Sequence, residues 1–232
     1  MRFAPRLTPS VHADSIAERY AHVARDAPGR PLIDAELRAL DALLSAVFLL
    51  LLTPVWVLVA GAILVTSGGP VLYRGERVGR AGRMFGMVKF RTLVRDAEAK
   101  LGPYYGEELT RRTLAEETRL GRWLRAAQLD EIPQLWNVLR GDMSFVGPRP
   151  IRPRLFDEAV REVPAYWQRL VVRPGLTGFA QTRMGREESW AEKLAHDLEW
   201  IADRSLRLYL RTVIATGWRV VGQSVRGLGH AV

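Results

Sequence analysis

A chain of 232 residues, 48% of them hydrophobic, has room for one ordinary domain plus additional segments and has the composition of a globular protein. Its net charge of +9 points to an anionic partner: nucleic acid, anionic lipid or a phosphorylated substrate. Cysteine is absent, which excludes disulfides, thiolate zinc sites and cysteine nucleophiles, and the histidines (His12, His22, His196 and His230) lack the helix-face spacing of a metal cluster.

Residues 1–36 are polar and rich in Arg, Pro and Ala. No apolar region follows Met1, so they do not read as a signal peptide. Ser15 to Arg25 suits a short helix within a flexible or docking extension. A second unit, 37–73, contains 42–73, which carry no charge. Leu43 to Val65 as one helix would be about 35 Å long, enough for a hydrocarbon core of about 30 Å. Thr53-Pro54 lies near the middle of that run. Proline there removes a backbone hydrogen bond, and the Thr53 hydroxyl can bond a carbonyl one turn back and favour a bend. Arg38 flanks one end; Arg74, Arg77, Arg80 and Arg83 flank the other. A spanning helix normally shows more basic charge on its cytoplasmic side. The residues alone fit both a spanning helix with a tolerated proline and a helix–break–helix that returns to the face it entered.

Ser67-Gly-Gly-Pro70 is a turn cluster that ends the apolar segment, and the third unit is 74–232. Val71 to Tyr73 and Phe85 to Phe90 read as short strands, and Val94 to Leu101 as a helix. Where the second strand leads into the helix, Lys89 and Arg91 suit phosphate oxygens, or equally a basic strand edge that resists aggregation. Gly102 to Thr118 reads as a polar, acidic loop and helix. Arg122 to Arg125 reads as a basic turn.

Then comes the stretch with the densest chemistry, LRAAQLDEIPQLWNVLRGDMSFVGPRP, residues 124–150. Leu129, Ile132, Leu135, Trp136 and Leu139 recur at helical spacing. Pro133 fits only the first turn of a helix, which sets Asp130 and Glu131 at its positive end. Pro148 and Pro150 restrict the backbone around Arg149. Such a carboxylate pair is ordinarily a cap and a first-turn acid, and such an arginine a solvated loop residue. Together they also suit phosphate chemistry. Ile151 to Leu170 predicts helix interrupted near Pro164. Arg173-Pro-Gly-Leu-Thr-Gly178 predicts either an anion cradle of backbone N–H groups or a tight connection, followed by a strand, Phe179 to Thr182. Glu187 to Ala202 predicts helix. Ser205 to Val225 predicts a basic amphipathic helix suited to a membrane surface.

The apolar segment with its central proline, GGPVLYRGERVGRAGRMFGMVKFRT, the 124–150 stretch and RPGLTGFAQ together resemble the bacterial sugar transferases, the monotopic polyprenyl-phosphate phosphoglycosyl transferases, over residues 37–225. The resemblance implies an α/β fold, mostly helical with a small sheet, on a re-entrant membrane helix broken at Thr53-Pro54, with the catalytic domain on the cytoplasmic face of the bacterial inner membrane. It implies transfer of a sugar-1-phosphate from a UDP-sugar to polyprenyl phosphate, with magnesium as cofactor and UMP as product. Carried over by residue, the nucleophile falls on Asp130, the magnesium ligand on Glu131, and the basic site residues on Lys89, Arg125 and Arg149. The family commonly has Ser where Thr53 stands, and often an aspartate near Tyr209, where this chain has none. Oligomeric state is left open, although a homo-oligomer is compatible. Charge favours nucleic acid as a rival partner, but no zinc-finger, homeodomain or RNP pattern occurs. A non-enzymatic membrane anchor or scaffold accounts for 42–73 but not for the carboxylate and Pro-Arg-Pro array.

Overall fold

The computed structural model describes residues 30–95, 97, 106–183 and 189–229. The helix expected at Ser15–Arg25 lies outside them, as does most of Val94–Leu101. The chain opens with helix α1, Pro31–Leu51, and turns at Leu52 into helix α2, Thr53–Ser67. Their axes differ by 61°, and among the described residues no single helix is long and apolar enough to cross a membrane. The cause of the bend is local. Pro54 cannot supply an N–H to the ladder, and Thr53 Oγ1 instead donates to the Leu49 carbonyl at 2.8 Å. Helix α1 begins within the stretch expected to be an extension.

An antiparallel hairpin follows, β1 (Leu72–Val78) and β2 (Met84–Phe90), longer than the short strands read from the sequence. Helix α3 is Gly106–Ala115 and helix α4 Arg119–Ala126. The basic turn expected at 122–125 is therefore helical: Thr118 caps it by accepting from Gly121 N at 2.9 Å. A 3₁₀ turn at Leu129–Glu131 leads into helix α5, Gln134–Arg140. Strand β3 is Ser144–Val146; helix α6, Pro153–Glu162, precedes a 3₁₀ segment, Pro164–Val171. Strand β4, Gly175–Thr177, pairs in parallel with β3, and the chain then forms helix α7, Phe179–Arg183. The strand expected at Phe179–Thr182 thus belongs a few residues earlier, because the close approach that pairs β4 with β3 needs glycine. A Cβ at Gly178 would lie 2.2 Å from the Gly147 carbonyl oxygen, and one at Gly147 2.4 Å from that of Arg173. Helices α8 (Trp190–Asp203) and α9 (Leu206–Gly229) complete the described residues. The whole is mostly helical with two small two-stranded sheets among the described residues, as the α/β class requires.

Three apolar clusters position everything else. One joins α1 to α5, β3 and α9 through Leu37, Val138, Phe145 and Tyr209. A second joins β1, α6, the 3₁₀ segment and α8 through Val78, Phe156, Tyr166 and Leu194. The third lays α2 on β2, α4 and the 129–131 turn, through Ile63, Phe90, Leu124, Leu129 and Ile132. Polar groups pin the ends of the bent pair. Asp41 is buried and accepts from Ser144 Oγ and Phe145 N, both at 3.0 Å, and from Tyr209 Oη at 2.9 Å. Arg38 donates to the Val138 and Leu139 carbonyls at the C-terminus of α5, at 2.7 and 2.6 Å. At the far end of α2, Arg91 and Arg95 hold the carbonyls of Ser67, Gly68 and Gly69. Guanidinium groups suit these helix C-termini, where carbonyls lack partners and the dipole is negative.

Candidate active site

The acidic pair sits on the 3₁₀ turn between α4 and α5. Gln128 makes the reversal possible by adopting φ +56°, a left-handed backbone uncommon outside glycine. Leu129 and Ile132 then drop into the apolar cluster beneath, against α2 and β2, where Val55 and Trp56 also pack. The two carboxylates are therefore carried by a turn that rests on the leg just past the Thr53-Pro54 break.

Their environments differ. Asp130 is buried, with 6% of its surface exposed. Burial pushes its carboxyl up to about 6; the neighbouring Glu131 charge adds to the rise, while Lys89 and Arg125 oppose it. Glu131 also suffers burial, but the charges of Lys89, Arg149 and Arg125 outweigh it and hold its carboxyl below the usual range. Lys89, on β2, donates to Glu131 Oε1 at 2.6 Å. Hence burial holds the Asp130 carboxyl up near 6 beside a partner whose charged form is favoured, an asymmetry typical of reacting groups.

The basic residues assigned from the sequence separate into two kinds. Lys89, Arg125 and Arg149 all act electrostatically on the carboxylates. Arg125 itself pairs with Glu117. Arg149 is exposed; its Nη1 donates to Gln181 Oε1 at 3.2 Å, and its own carbonyl accepts from Arg169 Nη2 at 3.0 Å. Arg91 is different. It is buried, and its guanidinium serves the carbonyls of residues 67–69 rather than standing open for a phosphate.

The anion cradle considered for Arg173 to Gly178 resolves in favour of the tight connection. Gly175 N donates to the Pro148 carbonyl, and Gly147 N to that of Thr177, both at 2.9 Å. The effect is to zip that segment against the Gly-Pro-Arg-Pro loop. Trp136, expected on the apolar face of α5, is 49% exposed. The inward position is taken by Asn137, which accepts from Val88 N at 2.9 Å and donates to the Gly86 carbonyl at 2.9 Å. Asn137 thereby fixes β2, and with it Lys89, against the helix that follows the carboxylates. Sequence reasoning missed both Asn137 and Asp41. Their signals were a polar residue inside an apolar helical pattern, and a carboxylate placed one residue before a 32-residue uncharged run.

Among the described residues, no group of three or more His, Asp or Glu side chains forms a ready metal cage. Asp130 and Glu131 nonetheless supply hard oxygen donors. Magnesium commonly binds through one or two carboxylates together with substrate phosphates rather than in a full protein cage. The donor set therefore fits that ion.

Known proteins resemble this chain over most of its length. A family model described as bacterial sugar transferase matches residues 34–223. The chain is 41% identical over 199 residues to a UDP-glucose:undecaprenyl-phosphate glucose-1-phosphate transferase of Caulobacter vibrioides, covering 80% of this chain and 73% of that protein. It is 35% identical over 182 residues to a UDP-N-acetylgalactosamine-undecaprenyl-phosphate N-acetylgalactosaminephosphotransferase of Aeromonas hydrophila, covering 77% of this chain but 42% of that longer protein. It is 34% identical over 200 residues to the exopolysaccharide production protein ExoY of Sinorhizobium fredii, covering 81% of this chain and 86% of that protein.

Proposed function

The chain belongs to the bacterial sugar transferases, and from that premise we propose that it moves a sugar-1-phosphate from a UDP-sugar to polyprenyl phosphate in exopolysaccharide assembly. It is a phosphoglycosyl transferase. The observation that carries the proposed chemistry is the buried Asp130 beside an ionised Glu131, within the field of Lys89, Arg125 and Arg149.

In the proposed reaction the Asp130 carboxylate attacks the phosphorus that bears the sugar. The bond from that phosphorus to the bridging oxygen breaks, and UMP leaves with the electron pair. A phosphate oxygen of polyprenyl phosphate then attacks the same phosphorus, breaks the acyl-phosphate bond and restores the carboxylate. The product is polyprenyl-diphosphate sugar. Two steps at one nucleophile let a water-soluble donor and a lipid acceptor use the site in turn. Lys89, Arg125 and Arg149 offset the repulsion between carboxylate and diphosphate and stabilise the charge that builds on the leaving group. Magnesium, held by Glu131 with Asp130 adjacent, would add Lewis-acid stabilisation of the phosphoryl oxygens.

The re-entrant reading of residues 42–73 belongs to the same proposal. Both ends of the bent pair are tied to one domain: Arg38 and Asp41 at the incoming end, Arg91 and Arg95 at the outgoing end. The side away from the domain exposes Leu50, Leu51, Val57, Leu58, Leu64 and Val65, an apolar surface suited to acyl chains. On α9, Leu206, Leu210, Ile214 and Trp218 are exposed at four-residue spacing beside Arg207 and Arg211, which suits the headgroup region of the same leaflet. In this reading the carboxylates lie at the membrane surface, on the cytoplasmic side where UDP-sugars are made.

Release of UMP by the purified protein in detergent, with magnesium and polyprenyl phosphate, tests the reaction. UDP-glucose is the first donor to try and UDP-N-acetylgalactosamine the second, since relatives' names carry both. Absence of UMP with every donor in a panel, from folded protein, overturns the enzymatic reading in favour of a membrane anchor. Topology is tested by single cysteines at Ser10 and Ser224. Both should resist an impermeant thiol reagent in intact cells and react after lysis; labelling of Ser10→Cys alone in intact cells would show a spanning segment.

A further inference from the structure

Arg149 stands on an exposed loop, yet two separate groups hold it. Its carbonyl accepts from Arg169 Nη2, and Arg169 is itself buried in an ion pair with Asp197 at 2.8 Å and donates to Tyr166 Oη at 2.9 Å. Its guanidinium Nη1 donates to Gln181 Oε1 at 3.2 Å. Gln181 lies on α7, one turn beyond the glycines that zip β4 to the Gly-Pro-Arg-Pro loop. Its own main-chain carbonyl accepts from Arg219 Nη1 of α9 at 3.3 Å.

The Gln181 side chain is oriented against its own interest. Only the amide oxygen can accept from a guanidinium, so the bond to Arg149 fixes which way the amide faces. That leaves Nε2 buried with no hydrogen-bond partner. A buried donor without a partner weakens a fold. A glutamine selected only for stability would not be expected in this arrangement.

We propose that Gln181 is a positioning residue for the reaction, holding the Arg149 guanidinium so that it meets a diphosphate in one orientation. A free arginine has many rotamers and loses that freedom on binding. An arginine already tethered through one nitrogen loses less and keeps its remaining donors for phosphate oxygens. This inference rests on the proposed role of Arg149 but not on turnover, so binding can test it separately.

The test is a double-mutant cycle on UDP affinity, measured calorimetrically with the full-length protein and magnesium. Gln181→Met keeps the length of the side chain, removes the acceptor and also removes the unpartnered donor. UDP affinity should fall about tenfold, the loss of one hydrogen bond to a charged group. The melting temperature should hold or rise. In an Arg149→Ala background the same change should leave affinity unaltered, since Gln181 acts through Arg149. Additive losses in the double variant would overturn the proposal. So would lost melting temperature with unchanged UDP affinity, the signature of a structural glutamine, or failure of the wild-type chain to bind UDP. Coupling in UDP affinity together with no UMP release would leave Gln181 in its role and refute the transfer reaction.

Discussion

The acidic and basic halves of the site are built in opposite ways. Asp130 is buried on a short 3₁₀ turn, and its charge is penalised by that burial. Arg149 is exposed on a proline-framed loop, with its carbonyl and its guanidinium both hydrogen-bonded to neighbours. One half stores unfavourable energy in the group itself. The other spends structure on holding a comfortable group still. A nucleophile gains from being poorly solvated, whereas a phosphate ligand gains from being oriented before substrate arrives.

The largest effect should come from removing the proposed nucleophile. Asp130→Asn should lower turnover by about 10³ or more, and wild-type protein given donor alone should carry a phosphosugar adduct on the peptide containing residue 130. Substantial steady-state activity in the variant, with deamidation excluded, would leave the acidic half without its central role. Next is Glu131→Gln, which keeps the shape and removes the charge that Lys89 grips at 2.6 Å. UMP release should drop about 100-fold and require more magnesium, a shift read from magnesium titrations of both proteins. An unchanged magnesium requirement would assign Glu131 to positioning Lys89 alone.

Arg149→Lys sharpens the contrast from the basic side. Charge is conserved, but the planar fork that meets Gln181, and in the proposed reaction a phosphate, is lost. Catalytic efficiency should fall about tenfold or more, with the melting temperature unmoved because the side chain is exposed. A kinetically silent lysine would mean that only the charge matters there, and that the loop's rigid framing serves the fold.

The basic half was only partly legible in the sequence, and the reason is physical. Prolines around Arg149 advertise a stiff backbone, and that inference needs no partner. The contacts that hold its carbonyl and aim its side chain come from Arg169 and Gln181, 20 and 32 residues away. Nothing local announces them. Arg91 shows the converse: a basic residue beside the hairpin suited phosphate equally well on paper, but three helix-end carbonyls claimed it first. The break at Thr53-Pro54 was legible because proline chemistry is local. Asp41 was not, since its partners at Ser144, Phe145 and Tyr209 exist only after folding. The strand shifted from Phe179–Thr182 to Gly175–Thr177 for a similar reason: glycine looks like a turn until another backbone approaches it.

The smallest effect, and the one that reads the stored energy directly, is on stability. The folded-state carboxyl of Asp130 is raised to about 6 from the ordinary value of 3.8. A raised carboxyl means that the folded protein binds the proton more tightly than the unfolded chain does. The cost to stability is thus absent below about pH 4, grows as pH climbs, and is complete above about pH 6. Two pK units correspond to about 3 kcal/mol. Asp130→Asn never carries that charge. Its melting temperature should exceed that of the wild type by several degrees at pH 7.5, and the gap should close as pH falls from 6 towards 4. Calorimetric melts of both proteins across that range, without magnesium or nucleotide, measure it. Magnesium would stabilise the ionised carboxylate and shrink the gap, whereas the anionic diphosphate of a nucleotide would repel it and widen the gap. A gap that stays constant with pH would show that Asp130 is not strained by burial, and the two halves of the site would then be built alike.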